Sequence, residues 1–150
     1  MKRGFTITEL SVIITITVFI TILVFITLNP DSRFKEAKNN ARREDINSIL
    51  AAIHEYSSEN EGSLPQGLKT GMPETQLGLC SSGGATLCAS ATEVCVNLNT
   101  SLAKYLKNIP VDLSYGTADT TGYSVWVDSN NIVTVSACVT ENNEKIIISR

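Results

Sequence analysis

The chain of 150 residues carries 12 basic and 15 acidic residues, which gives a formal net charge of −3. This length accommodates one small domain beside an N-terminal anchor, and so small a net charge provides no general attraction to nucleic acid. The first thirty residues differ from the rest because their only charged side chains are Lys2, Arg3 and Glu9.

The segment 10–28 is an uninterrupted run without charge. Its length is about what a helix needs to cross the hydrocarbon core of a bilayer, so we predict a membrane-spanning helix. Lys2 and Arg3 precede the run and favour a cytoplasmic N-terminus with an exported C-terminal part. Hydroxyl side chains within a helix bond back to the preceding turn or across to a neighbouring helix. Those in this run are Ser11, Thr15, Thr17, Thr21 and Thr27.

Glu9 is the informative residue of the segment, because a carboxylate near the start of a membrane helix is unfavourable unless it is paired or protonated. If the chain is cut between Gly4 and Phe5, the new α-amine lies four residues before Glu9, on the same helical face. That amine could meet the carboxylate within one chain or between two chains packed side by side. The alternative is a signal anchor with an unpaired Glu at its cytoplasmic edge.

The octet 2–9 resembles the class III leader of type IV pilins and pseudopilins. It has a basic head, Gly4, Phe5-Thr6 and then Glu9 ahead of an apolar helix. An ordinary secretory signal has its apolar region before the cut, whereas here the apolar run follows it. The stretch 46–65 also resembles the corresponding segment of pilins and of the major pseudopilin of type II secretion.

The resemblance implies cleavage after Gly4, N-methylation of Phe5 by the same membrane peptidase, and a role for Glu9 in docking incoming subunits. It also implies the partners: copies of the chain and related pilins in a helical filament, the prepilin peptidase, an inner-membrane assembly platform and membrane lipid. The chain departs from the family in Thr8, where an aliphatic residue is commoner, and in Pro30, which lies further along than the proline of many pilins.

Asn29-Pro30-Asp31 interrupts the helix, and Asn29 is suited to cap a second helical piece with Pro30 at its first position. We predict that this amphipathic continuation covers 29–61 and ends at Gly62. The basic segment 33–43 favours contacts with other subunits or lipid headgroups over DNA binding. The apolar stripe is Phe34, Ala37, Ala41, Ile46, Ile49, Leu50, Ile53 and Tyr56, and the other face carries Lys35, Arg42, Arg43, Glu44, Glu55 and Glu59.

Residues 66–98 are rich in Gly, Ser and Thr and predict a long irregular connection. It contains Cys80, Cys88 and Cys95, and Cys138 follows later. An even number of cysteines in a small exported domain predicts two disulfides, with three connectivities open. We favour Cys80–Cys88 with Cys95–Cys138. Free buried thiols come next, and zinc is disfavoured because no CxxC occurs and the one His, His54, is distant in sequence.

The C-terminal part predicts a short helix after Asn99 that ends by Pro110, and then a meander of three antiparallel strands. The strands are expected at 123–127, 132–137 and 145–149, where apolar alternation is bounded by turn residues. With one face on the long helix, they form a ladle-shaped α+β unit in which a long N-terminal helix packs on a small antiparallel sheet.

Little in the sequence points to catalysis: there is a single His, and no Gly-rich phosphate loop and no GxSxG. Asp112, Asp119 and Asp128 flank a loop of the kind that supplies calcium ligands, as the major pseudopilins do near their C-terminal sheet. Their spacing matches no defined motif and favours solvated turn aspartates, so we expect no cofactor.

The expected organisation is a leader at 1–4, a transmembrane and filament-core helix at 5–28, its continuation at 29–61 and a globular head at 62–150. The expected function is that of a structural subunit of a type IV pilus or a type II secretion-like pseudopilus. It would be held in the bacterial inner membrane and then extracted into an extracytoplasmic filament. The alternative is a single-pass anchored binding module that never polymerises, with an enzyme in third place.

Overall fold

The computed structural model describes residues 4, 6–81, 87–89 and 91–150. The chain divides into two compact units, Met1–Glu36 and Ala37–Arg150. The leader residues 1–3 and Phe5, on which part of the predicted processing site falls, lie outside the described residues.

The first unit contains helix α1 (Ile7–Leu28) and the first turns of α2 (Pro30–Glu59). The two helices are separated only by Asn29, which adopts a left-handed conformation with φ 38° and ψ 66°. Pro30 opens α2 as predicted. The Asn29 carbonyl accepts a hydrogen bond from the Ser32 backbone N–H at 3.2 Å. Among the described residues, the helical segment Ile7–Glu59 alone is long and apolar enough to cross a membrane, with a mean hydropathy of 2.7 in its most apolar window.

In the second unit, Ala37–Arg150, which is called the head from here on, α2 packs its aliphatic stripe on the sheet, as expected for the half that begins at Ile46. Ile46 and Ile49 are fully buried, and Leu50 and Ile53 nearly so. They join one core cluster with the inward-facing side chains of the central strands. Two polar residues nearer the start of the helix, Asn39 and Arg42, are also buried. The prediction that placed Arg42 on the charged outer face is therefore wrong.

Within the described ranges, the sheet has five strands in the order β2-β1-β3-β4-β5. The predicted meander is confirmed to within about two residues at each end. The predicted antiparallel sheet is extended by two earlier strands that pair in parallel with each other, so the sheet is mixed. The strands are β1 (Thr75–Leu77), β2 (Thr92–Val96), β3 (Tyr123–Val127), β4 (Val133–Ala137) and β5 (Ile147–Ser149). A short helix, α3 (Asn99–Leu102), precedes β3.

The four cysteines, all within the described part, form two disulfides, but not the pairing that the sequence favoured. Cys80 is bonded to Cys95, with 5.5 Å between their Cα atoms, and Cys88 is bonded to Cys138, with 4.5 Å. The parallel pairing of β1 with β2 sets Gln76 opposite Cys95, and this brings the end of β1 toward the Cys95 strand. The predicted pairs Cys80–Cys88 and Cys95–Cys138 are therefore corrected.

The C-terminal end of α2 is closed by a hydrogen-bond pattern of the Schellman type. The Gly62 backbone N–H donates to the Ser57 carbonyl at 2.8 Å. The residue in the left-handed position is Glu61, with φ 56°, and Gly62 follows it with φ 83°. The helix ends near Gly62 as expected, but a residue with a side chain occupies the position that glycine usually takes.

Replacing Glu61 with glycine should stabilise the head by about 0.5–1 kcal/mol, because a side chain in the left-handed region is strained. The measurement is denaturant unfolding of the full chain in an uncharged detergent, followed by Trp126 fluorescence. Gly62→Ala is the matched control and should destabilise the head by about 1 kcal/mol through the same strain. Equal stability of the two variants would contradict this account of the helix end.

Candidate functional site

Glu9 forms a capping box with Thr6 at the start of α1. The Thr6 hydroxyl oxygen accepts from the Glu9 backbone N–H at 3.2 Å. In return, Glu9 Oε2 accepts from the Thr6 backbone N–H at 3.0 Å and from the Thr6 hydroxyl at 2.9 Å. The Glu9 carboxylate therefore satisfies the Thr6 N–H, and the Thr6 hydroxyl satisfies the Glu9 N–H. Both would otherwise lack partners at the helix N-terminus, where negative charge is favourable.

Gly4 directly precedes Phe5, and Glu9 follows Phe5 by four residues. Phe5 itself is not among the described residues. A Cβ added to Gly4 would meet none of the described atoms within 4 Å, so those atoms leave room for a side chain at this position. Of the two Glu9 carboxylate oxygens, Oε2 is used by Thr6. Within the part of the chain that the structure describes, Oε1 has no hydrogen-bond partner. A capped carboxylate can still accept a further donor at this oxygen.

The surface of α1 is apolar in spite of its hydroxyl groups. Each of the five hydroxyls predicted to bond within the membrane donates to a backbone carbonyl of its own helix, at 2.8–3.0 Å. This arrangement satisfies the donors without a partner helix. The large aliphatic and aromatic side chains between Leu10 and Ile26 are 48–70% exposed. The helix therefore presents an apolar surface that only lipid or another apolar surface would cover.

The three aspartates considered for calcium serve separate local roles. Asp128 closes a turn by accepting from the Asn130 and Ile132 backbone N–H groups at 2.7 and 2.8 Å. Asp119 accepts from the Ser81 hydroxyl. Asp112 is buried and binds an arginine. Among the residues described, no group of three or more His, Cys, Asp or Glu side chains is placed to hold a metal ion.

The head contains a buried ion pair between Arg42 of α2 and Asp112 of the loop before β3. Each side chain is only 3% exposed. Arg42 donates to Asp112 through Nε, and through Nη2 at 3.4 Å. Its guanidinium carbon also lies 5.7 Å from the centre of the Tyr115 ring. A charge pair this far from water is retained only when hydrogen bonds meet its remaining groups.

Asp112 has those further hydrogen bonds. Its Oδ1 accepts from the Ser114 and Tyr115 backbone N–H groups at 2.8 and 2.9 Å. Burial alone would raise the pKa of Asp112, but Arg42 and these two N–H groups outweigh it and hold the pKa below its usual value. The carboxylate therefore stays ionised in the folded head.

Asn39 extends the pair to the segment that follows β4. Its Oδ1 accepts from Arg42 Nη1 at 2.9 Å and from the Glu141 backbone N–H at 3.0 Å. Its Nδ2 donates to Glu144 Oε2 at 2.7 Å. Arg43 binds the same Glu144 from the exposed side. We call Asn39, Arg42, Asp112, Glu141 and Glu144 the Arg42 cluster.

A second, partly buried polar contact joins α2 to β3 next to the Arg42 cluster. The Tyr123 hydroxyl donates to Asp45 Oδ2 at 2.5 Å. Burial raises the pKa of Asp45, although the bond from Tyr123 acts in the opposite direction. Burial and the neighbouring carboxylate also raise the pKa of Tyr123, so the phenol keeps its proton and remains a donor.

The sequence did contain a signal for the Arg42 cluster. Asn39 and Arg42 precede Ile46, Ile49 and Ile53 at steps of three and four residues, so they continue the buried stripe toward the start of the helix. The sequence prediction continued the stripe through Ala37 and Ala41 because these residues are apolar. The structure instead fills the stripe with polar side chains that meet acids from distant parts of the chain.

The chain matches no protein-family model, no curated protein and no solved structure.

Arg42→Met should destabilise the head by about 3–5 kcal/mol, because it leaves the Asp112 carboxylate buried without its partner. Denaturant unfolding followed by Trp126 fluorescence measures the change. The double variant Arg42→Met/Asp112→Asn should recover most of the loss, since the amide oxygen still accepts the two backbone N–H groups.

Arg43→Ala is the matched control for this experiment. It removes the neighbouring cation, whose pair with Glu144 is about 40% exposed on each side, and should change stability by less than about 1 kcal/mol. A loss in Arg43→Ala equal to that in Arg42→Met would refute a special role for the buried pair.

Proposed function

We propose that the chain is a structural subunit of a type IV pilus or a type II secretion-like pseudopilus. The proposal is carried by the sequence Gly4-Phe5…Glu9 at the start of a helix whose large apolar side chains between Leu10 and Ile26 are exposed. Such a helix needs lipid before assembly and other apolar helices after it. Proteolysis after Gly4 would add a positive charge near Glu9, and methylation of Phe5 would leave it positively charged.

Lipid solvates the apolar helices as well as other helices do, so apolar burial alone sets no register between subunits. A polar pair would supply that register. Glu9 supports this role because no other described residue binds its Oε1, while Thr6 holds its Oε2. The capping box orients the carboxylate before any partner arrives, and a neighbouring Phe5 amine would then meet an acceptor that is already ordered.

The proposed location follows from charge and cysteine chemistry. Lys2 and Arg3 before the anchor favour a cytoplasmic N-terminus in the bacterial inner membrane. Two disulfides in the head fit an oxidising compartment on the other side. The subunit would then leave the membrane for an extracytoplasmic filament, after contact with the peptidase and the inner-membrane assembly platform.

One observation favours the alternative, an anchored binding module that does not polymerise. The capping box with Thr6 gives Glu9 a structural role within a single chain. On that account the carboxylate starts the helix and needs no amine, and the first four residues would stay attached.

Mass spectrometry of the protein isolated from its native cells distinguishes the two proposals. A filament subunit should begin at Phe5 and carry the added mass of one methyl group. Copies that all begin at Met1 would reject processing, and with it the filament subunit.

Glu9→Gln should block incorporation into filaments while the membrane-held subunit stays present, because the amide keeps the capping box but carries no charge. Thr6→Ala is the converse control: it removes the cap and leaves the charge, so assembly should continue at a reduced level. Immunoblotting of sheared filaments and of membranes measures both. Normal filaments from Glu9→Gln would assign Glu9 to helix capping alone.

A further inference from the structure

A crevice of about 200 Å³ lies in the head between the second half of α2 and the end of the sheet. Its floor is apolar and formed by edges of core side chains, since Leu50 and Ile53 are 2% exposed and Val133 is 5% exposed. None of the predicted processing, assembly or metal residues lines it. The crevice is therefore separate from every site considered so far.

Polar side chains from three parts of the chain complete the crevice. Arg150 follows β5, and its backbone is fixed beside Val133 by two hydrogen bonds of 2.9 Å, one in each direction. His54 comes from α2, and Asn131 from the turn before β4. In the part of the chain that the structure describes, the side chains of Arg150 and His54 have no hydrogen-bond or ion-pair partner.

The charge of the crevice is one-sided. Among the described residues, its lining has one arginine side chain and no aspartate or glutamate side chain. A guanidinium binds a carboxylate through two parallel hydrogen bonds, and the imidazole offers one further N–H donor. The complementary ligand therefore has a carboxylate at one end and an apolar body that covers the floor.

The volume limits the size of that body. A cavity of about 150 Å³ accepts a benzene-sized molecule, whereas sites for drug-sized ligands begin at about 300 Å³. A crevice of about 200 Å³ thus suits a monocarboxylate with a short aliphatic chain or one ring.

We propose that this crevice binds a small organic carboxylate. Arg150 holds the carboxylate group, His54 donates a second hydrogen bond, and the apolar body lies on Leu50, Ile53 and Val133. The site belongs to the head alone and does not depend on whether the chain assembles into filaments.

The test is amide NMR of the ¹⁵N-labelled full chain in uncharged detergent, titrated with hexanoate and, as a neutral match of the same length, hexanamide. Hexanoate should shift the Asn131, Val133 and Arg150 amide signals saturably, with a dissociation constant in the roughly millimolar range expected for so few atoms. Hexanamide should bind about tenfold more weakly, because it lacks the charge.

Three variants test whether Arg150 holds the carboxylate. Arg150→Gln should weaken hexanoate binding about tenfold, and Arg150→Lys should fall between it and the parent, since lysine keeps the charge but not the paired geometry. Lys107→Gln, an exposed cation away from the crevice, should leave binding unchanged. Unshifted signals elsewhere show that each variant is folded. Equal affinity for hexanoate and hexanamide, absence of saturation, or full binding in Arg150→Gln would overturn the proposal.

Discussion

A guanidinium and a carboxylate, both shielded from water, join α2 to the loop before β3. Arg42 and Asp112 are seventy residues apart in sequence, and among the described residues neither has another opposite charge as close. An apolar pair of the same size would often be as stable, but a half-broken ion pair is strongly unfavourable. We interpret the pair as selecting one rotation of α2, because any other rotation would bury one charge alone. Asn39 favours the same orientation of α2, because it is hydrogen-bonded to Glu141 and Glu144.

The sequence was most informative where one physical requirement acts alone. The apolar helix must match the thickness of a bilayer, so its extent was predictable from the run of uncharged residues. As expected, α1 ends at Leu28. The meander was predictable for a similar reason. Val125 and Val127 alternate with polar or half-buried neighbours, and Asn130 and Asn131 mark the turn that follows.

The rest depended on contacts between distant residues, which no local pattern records. β1 has three residues and lies in a segment rich in turn formers, so its parallel pairing with β2 could not be foreseen from alternation. The disulfide error has the same source. A short loop between Cys80 and Cys88 is favoured by chain entropy, yet the partner is set by strand register. Likewise, the sequence pattern of α2 predicts an exposed Arg42, because its partner Asp112 comes from a loop that is remote in sequence.

The disulfide connectivity imposes a condition on how the head matures. The two bonds interleave along the chain, because Cys88 lies between Cys80 and Cys95, and its partner Cys138 is fifty residues further on. If the cysteines were oxidised in the order in which they emerge, the first two, Cys80 and Cys88, would form a disulfide with each other. Reaching the native arrangement then requires thiol–disulfide exchange, which takes seconds to hours depending on the oxidant and on an isomerase. The yield of correctly bonded heads should therefore depend on an isomerase in the compartment where the cysteines meet.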